Sequence, residues 1–161
     1  MFGRVYVEPR IQHGGFTFVF QRAPDCAARV RRFPNEAVGL VIVVDGDVAG
    51  VQARSAGVDR ALREAGREPL QADERIAVCV PTRNVETWQL WLLGRRDVDE
   101  LTDYKSAFQA IVRSNPMARR HAVDAWCTPM SQQLEETERA RLPSMAKGRA
   151  ELARLRDLSR K

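Results

Sequence analysis

The sequence predicts an α/β domain built on a small parallel sheet and followed by a helical appendage. Gly39-Leu-Val-Ile-Val-Val is an aliphatic run with no polar alternation, which suits a parallel strand covered on both faces. Ile76-Ala-Val-Cys-Val is a second such run, stopped by Pro81. Between them Val51, Val58, Leu62 and Ala65 recur at helical spacing, so the order strand, helix, strand implies a right-handed crossover.

The elements follow in order. Val5–Ile11 has a short extended pattern, with Val5 and Val7 on one face and Tyr6 on the other, and Pro9 closes it. His13-Gly14-Gly15 reads as a turn. Phe16–Phe33 carries helical spacing interrupted by Pro24, which predicts a short helical turn and then a helix from about Asp25 to Arg32. The strand Leu40–Val44 ends at Asp45-Gly46-Asp47, and a helix from Val51 to Ala65 stops at Gly66. The strand Arg75–Val80 precedes a helix over Asn84–Leu93, and a further helix spans Tyr104–Arg113 before Asn115-Pro116 breaks it. Residues Ala118–Trp126 and Gln132–Arg141 suit helices. Pro143 opens a last segment in which Met145, Leu152 and Leu155 form one docked face. The expected division is an α/β domain over residues 1–113 and a helical appendage over 114–161.

Composition narrows the function classes. The 161 residues include 44 % hydrophobic and 29 % charged side chains, ordinary values for a globular protein. No apolar run approaches the roughly 18 residues that cross a bilayer, and Met1–Gly3 lacks the basic start of a secretory signal. A cytoplasmic location without membrane attachment is the expectation. Cys26, Cys79 and Cys127 lack the spacing of a disulfide framework or a zinc site. The net charge of +5 rests almost wholly on arginine and is compatible with a polyanionic partner.

The chemistry concentrates at Asp45-Gly46-Asp47. In an open α/β sheet ligands bind beyond the carboxyl ends of the strands, where this motif lies. Two carboxylates one residue apart converge where the chain bends, and Gly46 eases the bend because it has no Cβ. Their repulsion calls for a cation, and oxygen-only ligands select magnesium, manganese or calcium. The simpler alternative is that Asp47 caps the helix that follows.

An apolar strand, Asp-x-Asp, a helix and a second apolar strand resemble the second half of a TOPRIM domain, the Rossmann-like catalytic domain of topoisomerases, bacterial primases and OLD-type nucleases. The likeness covers about Val5–Leu93, and VPTRNVETW with DVDELTDYK is similar to a group of uncharacterised bacterial TOPRIM-like proteins. The resemblance implies that Asp45 and Asp47 hold Mg2+ (or Mn2+) for phosphoryl transfer on nucleic acid. It also implies a glutamate ending the first strand as general acid or base. Glu8 is the candidate, although Glu8-Pro9-Arg10 also suits a second strand, in which case that glutamate is missing from this chain.

Arg83-Asn84-Val85-Glu86-Thr87-Trp88 follows the second strand and so lies on the same edge. Asn84 suits an N-cap and Glu86 suits the first helical turn. Glu86 also suits a third carboxylate or a base activating water, with Arg83 and Lys105 supplying positive charge to a phosphate. Tyr104 suits a phosphate or base contact, whereas Trp88 and Trp91 suit the core. His13 and His121 have no partner at metal-ligand spacing. The clusters Arg29, Arg31, Arg32 and Arg113, Arg119, Arg120 suit either a nucleic acid backbone or a solvated face.

The expected function is a TOPRIM-like nuclease acting in bacterial defence or DNA processing. The alternatives are a non-catalytic subunit that binds protein or nucleic acid, a homo-oligomer included, and a nucleotide-binding or receiver-type α/β domain.

Overall fold

The computed structural model describes residues 15–34, 36, 38–127 and 134–158. Within them the chain runs α1 (Gly15–Arg32), β1 (Leu40–Val43), α2 (Gly50–Glu64), β2 (Ile76–Cys79), α3 (Val85–Leu92), α4 (Lys105–Ser114), α5 (Ala118–Cys127), α6 (Glu136–Arg141) and α7 (Pro143–Leu158). The described residues form an α/β arrangement of seven helices and a two-stranded parallel sheet. No described helix is long and apolar enough to cross a membrane. The extended pattern at Val5–Ile11 and the residues His13 and Gly14 lie outside the described residues.

The strands pair in register Leu40↔Ile76 through Val43↔Cys79. Leu40, Ile42, Ile76 and Val78 therefore share one face, and they pack with Ala23, Ala27 and Val30 of α1 and Val58 and Leu62 of α2. On the other face Ala77 of β2 packs on Leu152 and Leu155 of α7. The Cys79 thiol points at the Gly148 carbonyl, 3.9 Å away, and burial pushes its pKa up to about 12. The Arg154 guanidinium ties α7 to this strand by donating to the carbonyls of Ala72 (2.7 Å), Glu74 (2.9 Å) and Ile76 (2.6 Å).

Two sequence expectations change here. Helix α1 is continuous through Pro24, where an interruption was expected. Proline removes one backbone hydrogen bond, at a cost of about 3 kcal/mol. Here its ring is buried beside Ala23 and Ala27, and the apolar stripe of α1 holds the helix on the sheet. Phe20, one turn earlier, lies against Gly57 of α2, where a Cβ would stand 2.6 Å from the ring. The second change concerns β1. Its sequence suits burial on both faces, yet Val41 and Val43 are 37 % and 39 % exposed, and among the described residues Leu152 and Leu155 of α7 pack on Ala77 of β2.

The glycine stop at Gly66 acts as expected. Gly66 (φ +66) ends α2 with Arg67 N–H donating to Leu62 O at 2.8 Å and Gly66 N–H donating to Arg63 O at 2.9 Å. Gly94 (φ +101) ends α3 through the same pair of bonds. The polar helix expected over Gln132–Arg141 is described from Glu136, where Glu135 and Glu138 form a reciprocal capping box.

A second core joins α3 to the later helices. Trp91, Phe108, Leu142 and Met145 are fully buried within it. Trp88 stacks on Trp126 with ring centroids 4.9 Å apart, and Gly148 lies so close to both rings that a side chain has no room. The helices beyond residue 113 thus pack on α3 and on β2.

Candidate functional site

The carboxyl end of β1 is held by a ladder that continues past the strand. Val44 N–H donates to Cys79 O (3.2 Å), Gly46 N–H to Pro81 O (2.8 Å) and Asp47 N–H to Arg83 O (3.2 Å). Gly46 is required by this closeness, not by its backbone freedom. A Cβ there would stand 2.8 Å from the Pro81 carbonyl and closer still to that of Thr82. The left-handed residue of the turn is Asp47 (φ +46), a side chain that tolerates this conformation better than most.

Neither aspartate caps the helix that follows. The N-cap of α2 is Ala49, without a side-chain hydrogen bond. Asp45 caps a different helix, since its Oδ1 accepts the Val85 N–H of α3 at 2.8 Å. Asn84, expected to cap α3, makes no capping bond. Its Nδ2 donates to Asp103 Oδ1 at 3.1 Å, and its Oδ1 accepts the Thr87 hydroxyl at 3.4 Å.

Glu86 lies in the first turn of α3 and is 7 % exposed, with Oε2 buried and without a hydrogen-bond partner. Its charge acts on Asp45. Burial pushes the Asp45 carboxyl up to about 6 against the pull of the Val85 amide, with the charges of Glu86 and Asp47 adding to the rise and Lys105 opposing it. Lys105, the first residue of α4, places Nζ 3.8 Å from Asp47 Oδ1, with both side chains about half exposed. The structure therefore brings Asp45, Asp47, Glu86 and Lys105 into one electrostatic neighbourhood. Arg83 contributes its carbonyl to the turn while its side chain is exposed.

Other candidates are engaged elsewhere. Tyr104 is buried, not presented to a ligand, and its hydroxyl donates to Asp99 Oδ2 at 3.2 Å. Arg31 makes a bidentate pair with Glu74 (2.7 and 3.0 Å) and also donates to Glu68 O and Pro69 O. Arg119 stacks on Phe108, and Arg120 pairs with Asp124. Trp88 and Trp91 are core residues whose indole N–H groups reach Ser144 and Glu138. His121 is exposed on α5, and Glu8 lies outside the described residues.

Sequence reasoning missed two carboxylates in the quoted segment DVDELTDYK. Asp103 Oδ1 accepts both Asn84 Nδ2 and the Lys105 N–H (2.9 Å), so it fixes α3 and α4 beside the aspartates. Glu100 is buried and accepts Ser144 N–H (3.0 Å), Ser144 Oγ (2.6 Å) and Met145 N–H (3.1 Å), as well as the Thr82 hydroxyl. It caps α7 and ties it to the turn beside Gly46. Their only sequence signal is an acidic stretch, which does not name its partners.

Among the described residues no group of three or more His, Cys, Asp or Glu side chains converges closely enough to cage a metal ion. Asp45 and Asp47 offer oxygen ligands only. That pair suits a cation that keeps several waters and takes one or two carboxylates together with substrate phosphates, as magnesium does. The orphaned Glu86 oxygen is a buried acceptor beside Asp45 that a water or another donor would satisfy. No family model, curated protein or solved structure matches this chain.

Proposed function

We propose that the chain is a TOPRIM-like protein that performs magnesium-dependent phosphoryl transfer on nucleic acid, as a nuclease in bacterial defence or DNA processing. The observation that carries this reading is the buried, unpartnered Oε2 of Glu86 beside Asp45. A buried carboxylate oxygen without a donor costs free energy unless something positive or protic meets it. Asp45 and Asp47 would bind Mg2+ or Mn2+, which would bring positive charge to a phosphodiester oxygen. Glu86 would take a proton from the attacking water as its oxygen bonds to phosphorus and the P–O bond to the leaving strand breaks, the leaving oxygen taking a proton from solvent, while Arg83 and Lys105 would hold the phosphate. The +5 net charge favours a polyanion at the surface.

The absence of a three-carboxylate cage among the described residues favours a second reading, a non-catalytic subunit that keeps the acidic edge for a protein or nucleic acid partner. Incubation with plasmid and with single-stranded DNA in Mg2+ or Mn2+ separates the two. Cleavage that Asp45→Ala abolishes supports the nuclease. No cleavage, together with no Mn2+ binding by calorimetry, overturns it.

A further inference from the structure

Helix α7 carries two arginines that press on one another beside α5. Arg149, Ala153 and Arg156 recur at helical spacing and so share one side of the helix, next to Leu152 and Leu155, which pack on Ala77. The Arg149 guanidinium is half-buried and lies 5.8 Å from the centre of a Trp126 ring near the end of α5. Its Nη1 is fully buried and has no hydrogen-bond partner among the described residues. Burial, and then the charge of Arg156, pulls Arg149 below its ordinary pKa. Arg156 acts on α5 as well, since burial and Asp124 raise the Cys127 thiol while Arg120 and Arg156 oppose that rise. The carboxylates of the two helices are placed elsewhere. Glu151 pairs with Arg154 (2.8 Å), Asp124 pairs with Arg120 (3.0 Å), and Asp157 is exposed about 100° further round α7 than Arg156.

A buried guanidinium N–H without an acceptor costs free energy, and a second guanidinium beside it adds repulsion. One anion relieves both. A carboxylate has two oxygens, which a single guanidinium fork fills, whereas a phosphate keeps further oxygens for a second fork. We propose that Arg149 and Arg156 form a phosphate-binding site on the side of α7 that faces α5, for a nucleic acid backbone or a free phosphate. The site is separate from the acidic edge. Ser144 meets Thr82 at the carboxyl end of β2, and Arg156 stands about 18 Å further along the helix axis. Where the phosphate belongs to a backbone, the site rests on the nucleic-acid reading above, but it needs no cation at Asp45 and Asp47.

NMR of the arginine Nε–Hε groups on the full chain tests this, in EDTA and at constant ionic strength. The probes are inorganic phosphate and a short single-stranded oligonucleotide. Phosphate should shift Arg149 and Arg156 while Arg154, tied to Glu151 and to three carbonyls, stays in place. Arg156→Gln should weaken binding about 10-fold through the loss of one charge-assisted contact. Arg149→Lys keeps the charge and the stem over Trp126 but loses the fork, so it should weaken binding with little change in melting temperature. An oligonucleotide that shifts the same two groups supports the site and assigns it to a backbone. An oligonucleotide that leaves them unmoved, where phosphate shifts them, supports the site and assigns it to a free phosphate. Arg149 and Arg156 unmoved by both probes, or an affinity that Arg156→Gln leaves unchanged, overturns the proposal. Because EDTA is present throughout, failure of Mn2+ to bind at Asp45 and Asp47 removes the nuclease reading and leaves this site standing.

Discussion

The Asp45 carboxylate accepts the Val85 amide at 2.8 Å, so the end of β1 and the start of α3 are joined by one charged cap. This carboxyl is pushed up to about 6, first by burial and then by Glu86 and Asp47, against an ordinary value near 3.9 in an unfolded chain. The folded protein thus holds the proton more tightly than the unfolded one between about pH 4 and pH 6. Stability from this group is full below pH 4 and is lost as pH rises through 6. Asp45→Asn keeps an oxygen for the Val85 amide without the charge. In EDTA it should be more stable than wild type at pH 7 by about 1–2 kcal/mol after allowance for solvent screening, with the gap closing towards pH 4. Urea midpoints across that range measure it, and a gap independent of pH would contradict the assignment.

Gly46→Ala tests the closeness of the two chains at the turn. The new methyl group meets the carbonyls of Pro81 and Thr82, which are backbone and cannot swing aside. The expected loss is about 2–4 kcal/mol. Gly66→Ala meets nothing within 4 Å and suffers only from its left-handed backbone, φ +66, at about 1–2 kcal/mol. Thermal unfolding of the two variants should therefore rank Gly46→Ala as the more severe, and the reverse order would show that the turn is free to open.

The strands were legible because aliphatic runs such as Leu40–Val44 and Ile76–Val80 have few other homes in a chain of this length. The Gly66 stop was legible because its bonds close within five residues. Pro24 misled, since its rule is local and the burial that offsets it is not. The caps misled for the same reason. Asn84 has the side chain of an N-cap, but Asp45, 40 positions before Val85, takes the Val85 amide. The exposure of Val41 and Val43 was invisible too, as was the position of α7 over β2, which is decided by contacts such as Arg154 with Ile76, 78 positions apart. Asp45, Asp47, Glu86 and Lys105 were all named from the sequence, because each sits just past a strand or at the start of a helix. Glu100 and Asp103 were not, because their partners lie on other elements.

Glu100→Gln should loosen α7 specifically. The glutamate accepts two backbone amides of the first turn of α7, the Ser144 hydroxyl and the Thr82 hydroxyl, and glutamine turns a donor towards some of them. Losing such charge-assisted bonds at a buried site costs about 2–4 kcal/mol. Cys79 reports on it, because its thiol lies beneath Gly148 of α7. Thiol labelling under native conditions should leave Cys79 untouched in the wild type and reach it faster in Glu100→Gln. Equal labelling in both would mean that Met145, Leu152 and Leu155 hold α7 without the cap.

Glu86→Gln separates a structural role from a binding one. A buried carboxylate with an orphaned oxygen, close to the Asp45 carboxyl, strains the folded state through desolvation and repulsion. In EDTA the glutamine variant should melt higher than wild type, and the Asp45 carboxyl should titrate lower once its neighbour loses its charge. With Mn2+ the order should narrow or reverse. A cation at ten times its dissociation constant stabilises the wild-type chain by about 1.4 kcal/mol, and a variant with weaker binding gains less. Melting curves with and without Mn2+, for wild type and Glu86→Gln in parallel, measure both effects. A variant that is stabilised and yet gains as much from Mn2+ as the wild type would remove Glu86 from the cation site, leaving Asp45 and Asp47 to hold the ion without it.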